Sequence, residues 1–451
     1  MGWKPAVIQK HKSYLKYKDS GIAWLGDIPA HWDVKRLRYV IKMNPSKQEI
    51  VHFEPERQLI FLPMESIGEN GSLRLDTTKP IYEVSSGYTF FAEGDVAFAK
   101  ITPCFENGKG AIMQNLGTQY GFGTTELIVM RPGKNIIAKY LHYLSTSTEF
   151  RKNGEAWMYG AGGQKRVPDE FVKNFPFAFP PLPEQEAIVA FLDRGTGHID
   201  SLVAKKQKLI ELLHEKRTAL ISHAVTKGLN PSVRLKPSGI AWLGDIPEHW
   251  DVKKIKYIAK KIIDGSHITP NYISDGVPFL RVTDIQEKYI DLEKVKYISE
   301  EEHRELIRRC KPELGDILIS KNGTIGITKV IDWKWEFSIF VSLCLVKIKK
   351  ELINANFFSW QFSSDAVAQQ IVEGSKKTSV INLHLDKIKE LIVIIPPLPE
   401  QKAIAEYLDQ ETARIDMLVT KIQAAIEKLR EYRTALISSA VTGKIDVRHK
   451  L

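Results

Sequence analysis

The chain has 451 residues, 43% hydrophobic and 26% charged, proportions that exclude a disordered or fibrous protein and leave room for roughly two to four domains. Lys and Arg outnumber Asp and Glu, 64 to 54, for a net charge of +10, a mild bias toward a polyanionic partner. Cys104, Cys310 and Cys344 lie far apart without Cys-x-x-Cys or His-rich neighbours; this argues against a disulfide framework or a zinc site, and for a reducing compartment. The N-terminus "MGWKPAVIQKHKSYLKYK" lacks an apolar core and no uninterrupted run of about 18 apolar residues follows, so a cytoplasmic location without a membrane span is expected.

In chain order, the first distinctive segment is "GIAWLGDIPAHWDVK" at 21–35. Its Trp24 and Trp32 stand amid strand and turn residues, where packing is the expected role and base stacking the alternative. Residues 43–179 then alternate short apolar runs with turns. "GDVAFAK" (94–100) and "ELIVMRP" (126–132) predict strands, and "NIIAKYLHYLSTSTEFRKNG" (135–154) predicts helix ending at its glycine. The prolines of "PPLP" (180–183) form a stop, after which Glu184 and Gln185 open a polar first helical turn. A break is expected at "RGTGHID" (194–200). Beyond it Ile199, Leu202, Lys206, Leu209, Leu213, Lys216 and Leu220 form a seam of alternating spacing three and four.

The pattern then begins again. "GIAWLGDIPEHWDVK" occupies 239–253, with Trp242 and Trp250 in place of Trp24 and Trp32, and Ser20–Lys42 against Ser238–Lys260 gives 17 identities in 23 positions. "GDILISK" (315–321) and "SLCLVKIKK" (342–350) predict strands, and "NANFFSWQFSSDAVAQQIVEG" (354–374) predicts helix. "PPLPEQEAIVAFLD" (180–193) returns as "PPLPEQKAIAEYLD" (396–409), and "RTALISHAVT" (217–226) as "RTALISSAVT" (433–442). The second seam, Ile415, Leu418, Ile422, Ala425, Leu429, Tyr432 and Leu436, keeps the phase of the first, so the two helices are expected to pair within the chain. The chain is a tandem duplication whose frame is constant and whose inserts, 43–179 and 261–395, match in size and scarcely in sequence.

No phosphate loop, H-E-x-x-H motif or carboxylate cluster at metal spacing is present. "YGAGGQK" does not lie between a strand and a helix of a dinucleotide-binding unit. What the inserts do carry is loops with basic and amide side chains among glycines: "KITPCFENGKG" (100–110) and "AGGQKRV" (161–167) in the first, "SKNGTIG" (320–326) and "EGSKKTSV" (373–380) in the second. Such side chains neutralise phosphates and pair with base edges, and glycine permits close approach. The candidate DNA contacts are Lys100, Thr102, Asn107, Lys109, Gln164, Lys165 and Arg166, then Arg281, Lys321, Asn322, Thr324, Lys376, Lys377 and Thr378.

The order of "SGIxWLGDIPxHW", a variable insert and "PPLPEQxAIxxxLD" with a long helix, twice over, resembles the specificity subunit of Type I restriction-modification systems across nearly the whole chain. "DGSHITP" (264–270) is similar to a recurring element of such proteins. The resemblance implies an α+β fold: two mixed α/β target recognition domains joined by two long antiparallel helices in an intrachain coiled coil, with pseudo-two-fold repetition. The expected division is a first recognition domain at 1–179 with an extension at 1–19, a helical spacer at 180–236, a second recognition domain at 237–395 and a second spacer at 396–451. It further implies a non-catalytic subunit reading a bipartite double-stranded DNA site, one domain per half. Two methyltransferase subunits modifying adenine N6 and two restriction/translocase subunits would be its partners. S-adenosylmethionine, ATP and Mg would be bound by those partners and no cofactor by this chain. The alternatives are a stand-alone DNA-binding regulator and a protein-only coiled-coil scaffold. Taken as a ruler from Ile199 to about Val225, each helix would span about 40 Å and set the half-sites on the order of 12 base pairs apart.

Overall fold

The computed structural model describes residues 11–69, 71–161, 163–287, 289–373 and 383–448. The chain forms two compact units, residues 1–206 with 423–451 and residues 207–422. Each unit therefore takes one insert together with one half of both long helices, Leu182–Lys227 and Leu398–Val441.

In the first unit the strands order as Ile41–Met43, Leu127–Pro132, Val96–Ala99 and Gly110–Ile112, all antiparallel. A second four-stranded sheet sets Gln58–Leu62 parallel to Tyr120–Gly123, with Thr78–Pro80 and Thr89–Ala92 at its edges. The second unit repeats the first sheet as Ala259–Asp264, Leu343–Ile348, Ile317–Ser320 and Thr328–Val330, and replaces the other by three strands, Lys296–Ile298, Val277–Leu280 and Ser338–Ile339. All four strands expected from the sequence are present. The inserts have thus drifted in sequence while the sheet nearest the frame kept its order.

The expected end of helix at Gly154 is not observed: Ala138–Thr146 is followed by Thr148–Trp157, which runs through the glycine. Ser147 instead divides the segment, its hydroxyl accepting from Phe150 N and capping the second helix. A β-carbon at Gly154 would lie 2.3 Å from Phe105 Cζ, so the glycine serves close packing. The break expected at 194–200 is likewise absent, and the first long helix is continuous for 46 residues. A β-carbon on Gly195 would meet Leu436 Cδ2 at 2.9 Å, which shows that tertiary packing has overridden weak helix propensity.

Within each unit the two helix halves run antiparallel. Arg433 bonds Asp200 at 2.9 Å in the first, and Arg217 lies 3.3 Å from Asp416 in the second, the same pair seen from the other copy. Ile199, Ile415 and Leu436 of the expected seams are buried. The alternate positions shift by one residue: Val419 and Ile426 are buried, whereas Leu209 and Leu418 are 45% and 48% exposed. Leu202–Val203 and Leu209–Ile210 are adjacent apolar pairs, so heptad spacing alone does not choose between their members.

Trp32 and Trp250 are fully buried, which establishes the packing role. Trp32 Nε1 donates to Glu184 Oε2 at 2.8 Å, and Trp250 Nε1 to Glu400 Oε2 at 3.0 Å. His31 and His249 contact the same carboxylates at 2.5 and 2.9 Å. Each tryptophan thus grips the start of one long helix. Its ring also packs at the end of the other: a β-carbon on Gly443 would lie 2.9 Å from Trp32 Cζ3, and one on Gly228 3.1 Å from Trp250 Cζ2. Both glycines have left-handed backbone, with φ of +72° and +79°, and end their helices as such residues do. Lys444 Nζ, beyond Gly443, donates to the carbonyls of Leu25 and Asp27; Lys227, before Gly228, donates to that of Asp245.

Gln185 and Gln401 complete the motif. Gln185 Nε2 donates to Pro180 O and Asn135 O, and its Oε1 accepts from Ile137 N. Gln401 does the same with Pro396, Leu352 and Asn354. The Glu-Gln pair therefore ties the frame segment, the proline stop and the start of an insert helix, Ala138–Thr146 or Ala355–Phe362, to one helical turn. Glu184→Ala is expected to lower the unfolding free energy of the first unit by about 2–3 kcal/mol, since it strands a buried indole N–H. Glu186→Ala, on the exposed side of the same turn, should change it by less than about 0.5 kcal/mol; urea denaturation of the two variants provides the comparison.

Candidate nucleic-acid interface

The third sheet strand of each unit runs into a basic loop, and both loops are held alike. In the first unit Lys100 N donates to Glu126 O and Lys100 O accepts from Val167 N, each at 2.8 Å. In the second Lys321 N donates to Ser342 O at 2.8 Å and Lys321 O accepts from Leu383 N at 3.0 Å. Lys100 and Lys321 follow Ala99 and Ser320, which pair with Leu127 and Leu343. The two loops are thus topological equivalents, although their side chains differ. The same bonds make Leu383 the counterpart of Val167.

In the first unit the structure brings the two expected loops together. Tyr159 and Arg166 exchange backbone bonds that close a hairpin, and Ile101 bridges the far side of Arg166. Thr102 Oγ1 accepts from Lys165 N at 2.7 Å and lies 3.0 Å from Gly163 O, so it fixes the hairpin tip. Arg166 makes a two-pronged pair with Glu126, at 2.8 and 2.9 Å, which holds the Glu126 carboxyl below its ordinary range. Arg166 and Thr102 therefore support the loop from within, while Asn107, Gln164 and Lys165 are exposed. Lys100 is half-buried, and Lys109 sends its ammonium to Met64 O at 3.2 Å.

Beneath loop 100–110 lies Arg151, buried among Phe98, Phe105 and Phe150 and donating to Phe105 O at 2.9 Å. Burial pushes its guanidinium down to about 9. Two exposed aromatics beside the hairpin, Trp157 and Tyr159 at 57% and 68%, were not among the sequence candidates. Their signal was the alternation with Met158, which packs inward, just ahead of the glycines.

In the second unit the candidates divide. Thr324 is exposed, Asn322 is half-buried with its Oδ1 lacking a hydrogen-bond partner, and Arg281 is paired with Asp284 at 3.0 Å. Lys321 is buried, its Nζ 2.5 Å from Asp264 Oδ1. That aspartate opens "DGSHITP", whose Ile268 is 79% exposed. Lys376, Lys377 and Thr378 lie outside the described residues. Among the described residues no cluster of three or more His, Cys, Asp or Glu is placed to hold a metal ion, and no helix is long and apolar enough to cross a membrane.

The model of the Type I restriction modification DNA specificity domain matches this chain twice, over residues 29–212 and 247–428. The chain is similar to the EcoAI specificity subunit of Escherichia coli, 45% identical over 164 residues, which cover 36% of this chain and 28% of that protein. It is 38% identical over 215 residues to the E. coli EcoEI specificity subunit, covering 46% and 34%. The chain thus spans about a third or less of the length of these two relatives. To the putative MjaX specificity subunit of Methanocaldococcus jannaschii it is 26% identical over 440 residues, 94% of this chain and 96% of that one. Among solved structures, a chain from work on complex assembly and conformational transition of the type I R-M system superposes with a TM-score of 0.74 at 18% identity, covering 92% and 98%. The HsdS subunit from Thermoanaerobacter tengcongensis does so with a TM-score of 0.54 at 18% identity and the same coverage. At such identity the likeness establishes the fold.

Lys321→Ala leaves the Asp264 carboxylate buried without its cation and is expected to cost about 3 kcal/mol of stability. Lys165→Ala, on the exposed hairpin tip, should leave stability unchanged and reduce the salt slope of DNA binding by about one. Denaturation and binding titrations at stepped salt distinguish the two lysines.

Proposed function

We propose that this chain, which belongs to the Type I restriction-modification DNA specificity family, is a non-catalytic reader of a bipartite DNA site, each unit contacting one half. The observation that carries this reading is the pair of equivalent loops at Lys100 and Lys321: unlike side chains are displayed from one backbone scaffold. Phosphate contacts from lysines position such a protein, and amides at loop tips read base edges. In this reading those roles fall to Asn107, Gln164 and Lys165 in the first unit and to Asn322 and Thr324 in the second.

The frame has a second task in this reading. A chain that positions two copies of one modification subunit must present one surface twice. Methyl transfer to adenine N6 belongs to those partners, with S-adenosylmethionine bound there, and ATP and Mg belong to the restriction/translocase subunits. In this reading the chain positions those partners and takes no part in the chemistry itself.

Two experiments test the reading. Replacing residues 43–179 with the insert of a relative should change one half of the methylated sequence and leave the other intact; a hybrid altered in both halves would refute independent reading. Deleting residues 203–209 and 419–425 removes one heptad from each helix and keeps the seam in phase. Each helix shortens by about 10 Å, so binding should move to sites with a spacer about three base pairs shorter, or be lost. A folded deletion variant with the original spacer preference would show that the helices do not set the distance.

A further inference from the structure

Several fixed positions of the duplicated opening segment are fixed by burial. Leu25, Ile28 and Trp32 are buried, as are Leu243, Ile246 and Trp250. Over residues 36–41 the relation inverts. The buried positions have changed, Leu37 to Ile255 and Val40 to Ile258, and so have the exposed cations, Arg36 to Lys254 and Arg38 to Lys256. The residue that has not changed is the exposed one, Tyr39 and Tyr257, open to solvent by 71% and 58%. Among the described residues of the frame, this is the only equivalent pair with a large apolar side chain exposed in both units.

The two sites are built alike. Each tyrosine stands on a short helical turn, Leu37–Tyr39 or Ile255–Ile258, whose apolar neighbours enter the core. A cation covers each ring: the Arg38 guanidinium lies 5.2 Å from the Tyr39 centroid and Lys256 Nζ 5.3 Å from that of Tyr257. Lys42 and Lys260, identical in the two copies, are exposed as well. Lys256 also pairs with Glu390 at 2.6 Å, but no packing contact requires the two exposed rings or Lys42 and Lys260, and exposed positions free of packing tolerate substitution. Tyr and Arg are enriched in protein-binding hot spots; the first patch has both, and the second keeps the tyrosine with lysines at its rim. Phosphate contacts need no ring. The patch also lies at the far end of the sheet from the reading loop. Ile41 pairs with Pro132 and Ala259 with Ile348, whereas the loops leave beside Glu126 and Ser342, about 20 Å away along the strand.

We propose that Tyr39 with Arg38 and Lys42, and Tyr257 with Lys256 and Lys260, are two equivalent docking patches, each receiving one copy of the modification subunit through an apolar pocket rimmed by carboxylates. This rests on the reading of the chain as a specificity subunit. The test is co-expression of the full chain with a modification subunit of the same system, followed by native mass spectrometry and affinity measurement. The unaltered chain should carry two copies. Y39A or Y257A should each carry one, with at least a tenfold weaker second site, and the double variant none, while Y39F and Y257F keep both. If an alanine variant melts at lower temperature, K42E and K260E decide, since both lysines are exposed and the buried residues stay untouched; weakened assembly supports the patches and unchanged assembly overturns them. An unaltered chain that binds no modification subunit overturns the specificity-subunit reading and the patches with it. A double variant that still binds two copies with undiminished affinity overturns the patches alone. Normal assembly with uniformly weaker DNA binding would assign the patches to the phosphate backbone and overturn the proposal.

Discussion

Each unit depends on one buried contact, an indole N–H donated to a carboxylate in the first turn of a long helix. The carboxylate is favoured there by the helix dipole, and the indole would be costly to bury without an acceptor. In the first unit the carboxylate of Glu184 also receives Tyr14 and His31, and burial beside it drives the Tyr14 phenol upward from its usual value. Because the ring packs where the other helix ends, one side chain sets the beginning of one helix and the end of its antiparallel neighbour. The letter-for-letter repetition around Trp32 and Trp250 follows from that double duty. Loss of either function would free a helix end, and conservative replacement of tryptophan supplies only one of the two.

The inserts face a different constraint. They must close on the frame through a strand beside Asp33–Arg36 or Asp251–Lys254 and through the glutamine after the prolines. Between those points they are free to differ, and one has a four-stranded second sheet where the other has three strands. The cores follow this division. One hydrophobic cluster per unit joins both helix halves to the sheet nearest the frame, and smaller clusters lie under the outer sheets.

Much of this architecture was legible in the sequence because it is periodic or repeated. The strands at 96–99, 127–132, 317–320 and 343–348 announced themselves as apolar runs after turn residues, and the paired helices as two seams in phase. What was not legible depended on the partner across a contact. Gly154 and Gly195 read as helix ends, and only the rings of Phe105 and the methyls of Leu436 show them to be points of close approach. Leu209 and Ile210 are equivalent to a pattern and unequal to a neighbouring helix. The loops were found by composition, but composition could not separate Lys165, which is exposed, from Lys321, which is buried on Asp264. Nor could it show that Arg166 is held by Glu126, forty residues away in the chain.

The way the loops are held has a consequence for how such a protein changes. The bonds at Lys100 and Lys321 run from backbone to backbone, and every residue except proline can make them. Exchanging the exposed side chains, Asn107, Gln164 and Lys165 in the first unit and Thr324 in the second, therefore alters the display without loosening its support, so a new display is reachable by single substitutions that are nearly neutral for folding. Change at those tips is inexpensive, whereas change at the tryptophan clamp costs a buried hydrogen bond. A duplicated chain of this design can let its two halves diverge in preference while both remain interchangeable parts of one assembly.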